Sequence, residues 1–457
     1  MKKAIFRTSA LRMWMFMSLI AALASCSSGD YVDAVPQDCK ALLAVAASKT
    51  GTAGNLSLLK NLLHVTDLEK TGIDFKEKVY LFEAPDGNLG LCARVGDADD
   101  LRSLFKDLSD KGVCTNLPER RGFRFVVIND NWVAGYSDNA LLVMGPAVPE
   151  AQAELRNRMS KLLAQDEEHG VKATPMFDKL DSIRSPMAFV AQAQALPDNF
   201  MLPFTIGAPA DADPSQVLLA VGATLKEIGG KQVLYMEGET FSFSKRINIA
   251  LTEARKSYRP IKGVYRQRLY EGDPLGIFMN VDGRTYIRLL QANPGMQGLL
   301  AGVNTTIDMD NIIRSINGDM FIAVRGGSED KPLIDMVAEL GDVKVAQDVD
   351  YWKSSCPAGT KITGQRGSYR LTGPDLNFDF GFTPDEEFYL ESSPFRPSNR
   401  GNTPHALQLP PALQAVIAGK HLCMIAGMDG ILGAHKEAAK ILKPVIGDVD
   451  MIVFCMK

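Results

Sequence analysis

The residues whose types and spacing come closest to a chemistry are Asp385, Glu386 and Glu387, followed by Tyr389 and Arg396. Carboxylates and guanidinium groups grip hydroxyls, and aromatic faces stack on apolar rings, so the cluster reads as the lining of a glycan cleft. The other reading is an acidic hairpin tip packed by strand aromatics. No metal site is expected: the five histidines, His64, His169, His405, His421 and His435, lack ligand spacing such as His-Glu-x-x-His. Asp308-Met-Asp310 fails as a calcium loop, because Ile312 stands where an oxygen ligand is needed, and it reads instead as a helix cap. A Gly-x-Ser-x-Gly elbow is absent. The fragments Ser57-Leu-Leu-Lys60, Lys70-Thr-Gly72 and Ser137-Asp-Asn139 stand in the wrong order for a penicillin-binding site. No glycine-rich loop follows a strand, so no cofactor is expected. The catalytic set is therefore empty, and a non-catalytic binding or scaffold role is the expectation. The alternative is an exported hydrolase of glycan or peptide, with two carboxylates about 5 to 9.5 Å apart.

The chain start supplies an address. Lys2, Lys3, Arg7 and Arg12 precede an apolar run, 13–24, that ends in Leu23-Ala24-Ser25-Cys26. A basic region, a short apolar run and small residues make a secretory signal, too short to span a bilayer. Removal of residues 1–25, by cleavage between Ser25 and Cys26, leaves 46 basic against 54 acidic residues. That acidic body, with no Lys/Arg cluster, excludes a nucleic-acid groove. With 46% hydrophobic residues the chain has ample material for sizeable cores. Six cysteines besides Cys26 permit fifteen pairings, none in a Cys-x-x-Cys spacing. A chain of this length needs no staples, so mostly reduced core cysteines are expected.

The elements that would position these residues alternate in type. Residues 40–46 read as a buried strand and 55–64 as a helix. Residues 78–84 and 89–95 form two strands around the turn Pro85-Asp-Gly-Asn88. Asp97 or Asp99 caps a helix carrying Leu101, Leu104, Phe105 and Leu108 on one face. Residues 186–262 read as antiparallel strands. From about 272 the order of strand, helix, an Ile-Asp segment and strand returns. The expected fold class is α+β: antiparallel sheets packed with helices, in two similar halves of the ferredoxin-like split βαβ type. The expected organisation is a signal (1–25), a tether (26–35), a first α+β domain (36–170), a middle segment of helix plus strands (171–265) and a second α+β domain (266–457). The apolar strand 449–456 is expected to lie centrally in a sheet.

Leu23-Ala24-Ser25-Cys26 resembles the lipobox of bacterial lipoproteins. Together with Tyr31-Val-Asp-Ala-Val-Pro-Gln-Asp38 and Ile307-Asp-Met-Asp-Asn-Ile-Ile313, it is similar to a family of Bacteroidetes outer-membrane lipoproteins of unknown function. The resemblance implies lipidation of Cys26 and anchorage in membrane lipid. It also implies a cell-envelope role with an envelope protein or glycan as partner. Surface display in that group is associated with several acids after the cysteine. Ser27-Ser-Gly-Asp30 supplies one, which implies an outer-membrane position facing the periplasm. The resemblance brings no catalytic residues.

Overall fold

A computed structural model describes residues 30–46, 70–196, 204–270, 273–327, 332–374, 376–392, 408–428 and 449–456. Ser25, Cys26 and Arg396, the residues read as a signal, and the helix expected at 55–64 lie outside the described residues. The chain divides into two compact units: residues up to Cys39 join 67–178 in the smaller, and residues from Lys40 to Thr66 join 179–457 in the larger.

The larger unit opens with β1 (Ala41–Ala46). The smaller unit then supplies β2 (Lys78–Glu83), β3 (Leu89–Arg94), α1 (Ala98–Asp110), β4 (Cys114–Arg120), β5 (Phe123–Ile128), β6 (Trp132–Tyr136), β7 (Ala140–Gly145) and α2 (Gln152–Leu162). After α3 (Pro175–Asp181) come β8 (Met187–Gln192), β9 (Leu218–Ile228), β10 (Lys231–Phe241), α4 (Lys245–Arg255), the short β11 (Tyr258–Arg259) and β12 (Leu275–Asp282). A helical layer follows: α5 (Gly283–Ala292), α6 (Pro294–Asn304) and α7 (Met309–Ser315). The rest is β13 (Ile316–Gly327), β14 (Pro332–Leu340), α8 (Val349–Ser355), β15 (Lys361–Gln365), β16 (Ser368–Thr372), β17 (Asn377–Phe382), β18 (Glu387–Glu391), α9 (Pro411–Ile417), β19 (Leu422–Gly427) and β20 (Met451–Met456).

In the smaller unit the antiparallel order is β2-β3-β7-β6-β5-β4. In the larger unit the order β13-β14-β18-β17-β16-β15 repeats it strand for strand, again antiparallel. Outside these, β1 pairs with β8 as β12 pairs with β19. The sequence marks the same place in both runs: Ala93-Arg94-Val95-Gly96-Asp97 leads out of β3, and Ala338-Glu339-Leu340-Gly341-Asp342 leads out of β14. Asp97 accepts the amides of Asp99 and Asp100 and so caps α1, while Asp342 accepts that of Lys344.

The fold is mixed α+β with an antiparallel-dominated sheet, but its connections differ from the split βαβ unit. That unit needs a helix crossing between parallel strands, whereas β12 and β13, on either side of α5–α7, are antiparallel neighbours. The reason for the misreading is physical: the order of element types along a chain does not state which strands pair. The segment 171–265 supplies β8–β11, which pair within the larger unit. Residues 30–35 are no tether. Tyr31 through Val35 are buried, the Tyr31 hydroxyl donates to the Lys78 carbonyl at 2.7 Å, and the Cys92 thiol donates to the Tyr31 carbonyl. The stretch 361–371, which reads as one strand, is the hairpin β15–β16, turned at Arg366-Gly367 with φ of 56° and 79°.

As expected, β20 lies centrally, parallel to β10 and antiparallel to β19. One face of the larger sheet packs Met320, Ala338, Phe380 and Phe388 with Ile287, Leu290, Ile312 and Trp352 of the helical layer. The other face buries Phe278, Phe321, Val337 and Cys423 beneath Tyr265, Leu269, Leu413 and Ile417.

Candidate functional site

The two six-strand runs can be laid side by side by register, because residues opposite one another in a sheet share a face. In the smaller unit one face carries Cys92 opposite Leu142, Met144 opposite Val133, and Phe125 opposite Gly135, with Val127 beside Val133. All of these but Gly135 are core side chains, with Val133, Leu142 and Met144 at 0% exposure. Helix α2 seals this face with Leu155, Met159 and Leu162. A Cβ on Gly135 would stand 2.5 Å from the Phe125 ring and 3.2 Å from Leu163 Cδ1, just past the helix, so only glycine lets ring and helix close there.

In the larger unit the same register places Val337 opposite Tyr389, Glu391 opposite Asp379, and Ser368 opposite Gly381, with Arg370 beside Asp379. Thus Ser368, Arg370, Asp379, Tyr389 and Glu391 stand where Phe125, Val127, Val133, Leu142 and Met144 stand in the smaller unit. The glycine recurs: a Cβ on Gly381 would lie 2.6 Å from the Tyr389 hydroxyl. Where the first run is sealed, the second opens into a cavity of about 510 Å3, lined by Arg268, Thr363, Ser368, Arg370, Asp379, Thr383, Glu387, Tyr389 and Glu391. Helix α8 packs on the opposite face, with Trp352 6.3 Å from Phe380.

Protein donors already engage several of the cavity's polar groups. Arg370 Nε lies 3.1 Å from Asp379 Oδ1, the Tyr265 hydroxyl donates to Glu387 Oε1 at 3.0 Å, and the Tyr389 hydroxyl donates to Ser368 Oγ at 3.1 Å. Burial and the Glu387 carboxylate push the Tyr265 phenol well above its ordinary pKa, so it stays a donor at any physiological pH. The cavity rim is fixed from beneath by a buried ion triad. Arg325 Nε meets Asp335 Oδ2 at 2.9 Å, Nη1 meets Asp273, and Nη2 donates to the Arg268 carbonyl at 2.9 Å. With two guanidinium groups and three carboxylates, and with hydroxyls between them, the lining offers many hydrogen bonds and little net charge.

Of the cluster singled out in the sequence, Glu387 and Tyr389 line this cavity. Asp385 and Glu386 do not: they sit exposed in the turn before β18, where Glu386 adopts a φ of 61°. Arg268, Arg370, Asp379 and Glu391 were missed. For Arg370, Asp379 and Glu391 the only sequence signal is a polar residue at every second strand position, which an ordinary solvated sheet face also produces, and Arg268 lies in a short helical turn with no such pattern. Among the described residues, no group of three or more His, Cys, Asp or Glu side chains is placed to hold a metal ion. Among them, too, no helix is long and apolar enough to cross a membrane.

The molecule is thus an α+β protein with a repeated six-strand order, one face of which is core in one run and a polar cavity in the other. The chain belongs to a family defined by a domain of unknown function, DUF4836, which it matches over residues 34–346. That match ends before β15, so most of the cavity lining lies beyond it. No curated protein matches the chain. Two solved structures are similar, both of TP0453. Crystal form IV shares 12% identity over 44% of this chain and 77% of that one, with a TM-score of 0.29. Crystal form III shares 10% over 80% and 94%, with a TM-score of 0.23. Likeness at that level establishes neither fold nor function for this chain.

Proposed function

We propose that this is a lipid-anchored protein of the bacterial cell envelope, held in the outer membrane through Cys26 and facing the periplasm, whose body binds a glycan without turning it over. The observation that carries the binding reading is the exchange of a sealed apolar face for an open polar one at matching register positions. A core position that becomes Arg, Asp or Glu gives up burial of about 1.5 to 3 kcal/mol per side chain, a loss that favours a use for the opened face. Near-balanced charge suits a ligand rich in hydroxyls, and Tyr389 offers a ring for a sugar face. The engagement of Asp379 by Arg370 and of Glu387 by Tyr265 favours binding over acid–base turnover. The repeated strand order further supports an origin of the two runs by duplication of one unit. Envelope anchorage rests on Leu23-Ala24-Ser25-Cys26 and on the resemblance these residues carry.

The full chain in detergent, applied to an array of envelope glycans, is expected to retain a subset of them. Tyr389→Ala or Arg370→Ala should weaken retention roughly ten-fold, the equivalent of about 1.4 kcal/mol. Retention unchanged in both variants, or no glycan retained at all, overturns the binding reading. Products released by the native chain but not by Glu387→Gln would move the assignment to a hydrolase. Anchorage is tested separately, because Cys26→Ala should leave the membrane fraction and lose fatty-acid label.

A further inference from the structure

Cys423 of β19 and Cys455 of β20 are directly opposite in register, with their sulfurs 3.5 Å apart. Both are buried and free. Three of the other described thiols are occupied elsewhere: Cys92 donates to the Tyr31 carbonyl, Cys114 to that of Phe105 and Cys356 to that of Trp352. The pair has a charged surround. Glu237, beside Cys455 on β10, accepts from Lys420 Nζ at 2.8 Å and from the Tyr235 hydroxyl at 2.6 Å. The two thiols are unequal. The hydrogen bond with Cys423 holds the Cys455 thiol below its ordinary pKa against the cost of burial, and Lys420 and Tyr235 add to this. The same bond, with burial, raises Cys423. An attacking thiolate with a resolving thiol in contact is the arrangement that thiol–disulfide exchange requires.

We propose that Cys423 and Cys455 are a redox pair that closes to a cross-strand disulfide by exchange with a disulfide oxidant of the glutathione class. Opposed residues of an antiparallel pair have Cα atoms about 4.5 to 5.5 Å apart, inside the range a disulfide spans. Each sulfur needs to move only about 0.7 Å to reach the bonded separation of about 2.05 Å. The Cys455 thiolate attacks one sulfur of glutathione disulfide, forming a mixed disulfide and expelling one glutathione thiolate. Cys423 then gives up its proton and attacks Cys455 Sγ, expelling the second. Two protein thiols are oxidised, one glutathione disulfide is reduced to two thiols, and the two protons pass to the released glutathione. The bond would pin the strand β20 to β19 across the segment that joins them.

The test is to unfold the full chain under reduction, refold it in a buffer of glutathione and glutathione disulfide, block free thiols in denaturant and map the peptides. The expected result is loss of both alkylation sites, 423 and 455, in favour of one linked peptide, with Cys39, Cys92, Cys114 and Cys356 still alkylated. In Cys423→Ser, Cys455 should appear as the glutathione adduct or stay free, with no protein bridge. Free thiols at both positions in refolded protein of native circular dichroism would overturn the proposal, as would a bridge from either to another cysteine. Should the chain not regain native circular dichroism, the same mapping on natively purified protein treated with glutathione disulfide decides it, with the same outcomes.

Discussion

The strands β2–β7 and β13–β18 follow one pairing order but treat the same sheet face in opposite ways. In the first run Phe125, Val127, Val133, Leu142 and Met144 close under α2. In the second, Ser368, Arg370, Asp379, Tyr389 and Glu391 stand around a cavity. The opposite face behaves alike in both: Tyr136 stacks on Phe105 of α1 at 5.3 Å, and Phe380 packs under Trp352 of α8. A sheet therefore needs only one apolar face to hold its order, and the other is free to vary. Deeper in the second run, Arg325 stands one strand position beyond Val324, where β2 runs on from Glu83 to the fully buried Ala84. That arginine brings Asp273 and Asp335 with it, because a buried guanidinium is tolerable only with carboxylates against it.

The sharpest way to break this comparison is to exchange side chains across it. Val133→Asp puts an unpaired carboxylate at a site of 0% exposure, and should cost more than about 4 kcal/mol in urea unfolding, melting β5–β7 first by hydrogen exchange. The reverse exchange, Asp379→Val, should cost no more than about 1 kcal/mol, since Arg370 is left largely in water. Equal effects would show that the two faces are not differently buried. Next in size, Arg325→Met leaves Asp273 and Asp335 facing each other at low exposure, and should destabilise the larger unit by about 3 to 5 kcal/mol. A loss under about 1 kcal/mol would mean that the triad is hydrated. The smallest effect concerns the matching Gly-Asp corners. Asp97→Ala removes the cap of the thirteen-residue α1 and should cost about 1 kcal/mol, whereas Asp342→Ala removes one turn bond and should cost less, both read from denaturant midpoints.

Local structure was largely legible. The turn at Pro85-Asp86-Gly87-Asn88, the Asp97 cap and the central β20 follow from short-range rules acting on neighbouring residues. The site was half legible. Glu387 and Tyr389 were visible because they are adjacent in sequence to other unusual residues. Their partners Arg370 and Asp379 were not, because each sits in a strand whose polar alternation looks like any wet face, and Arg268 was not, because it lies in a short helical turn far away in the chain. Arg366-Gly367 hid a hairpin because arginine rarely adopts a positive φ, so the chain carried no common turn signal there.

By itself the sequence determined the α+β class and the capped helices, since hydrophobic periodicity and capping chemistry act within a few residues. It also carries, in residues 1–26, the secretory-signal pattern on which the proposed anchorage rests. Only the tertiary structure decided which strands are neighbours and that one pairing order occurs twice. It alone decided that Cys423 meets Cys455, and that Leu142 is sealed while Tyr389 is open. Those outcomes depend on contacts between residues far apart in the chain, and period-two alternation states which residues share a face without stating what, if anything, covers it.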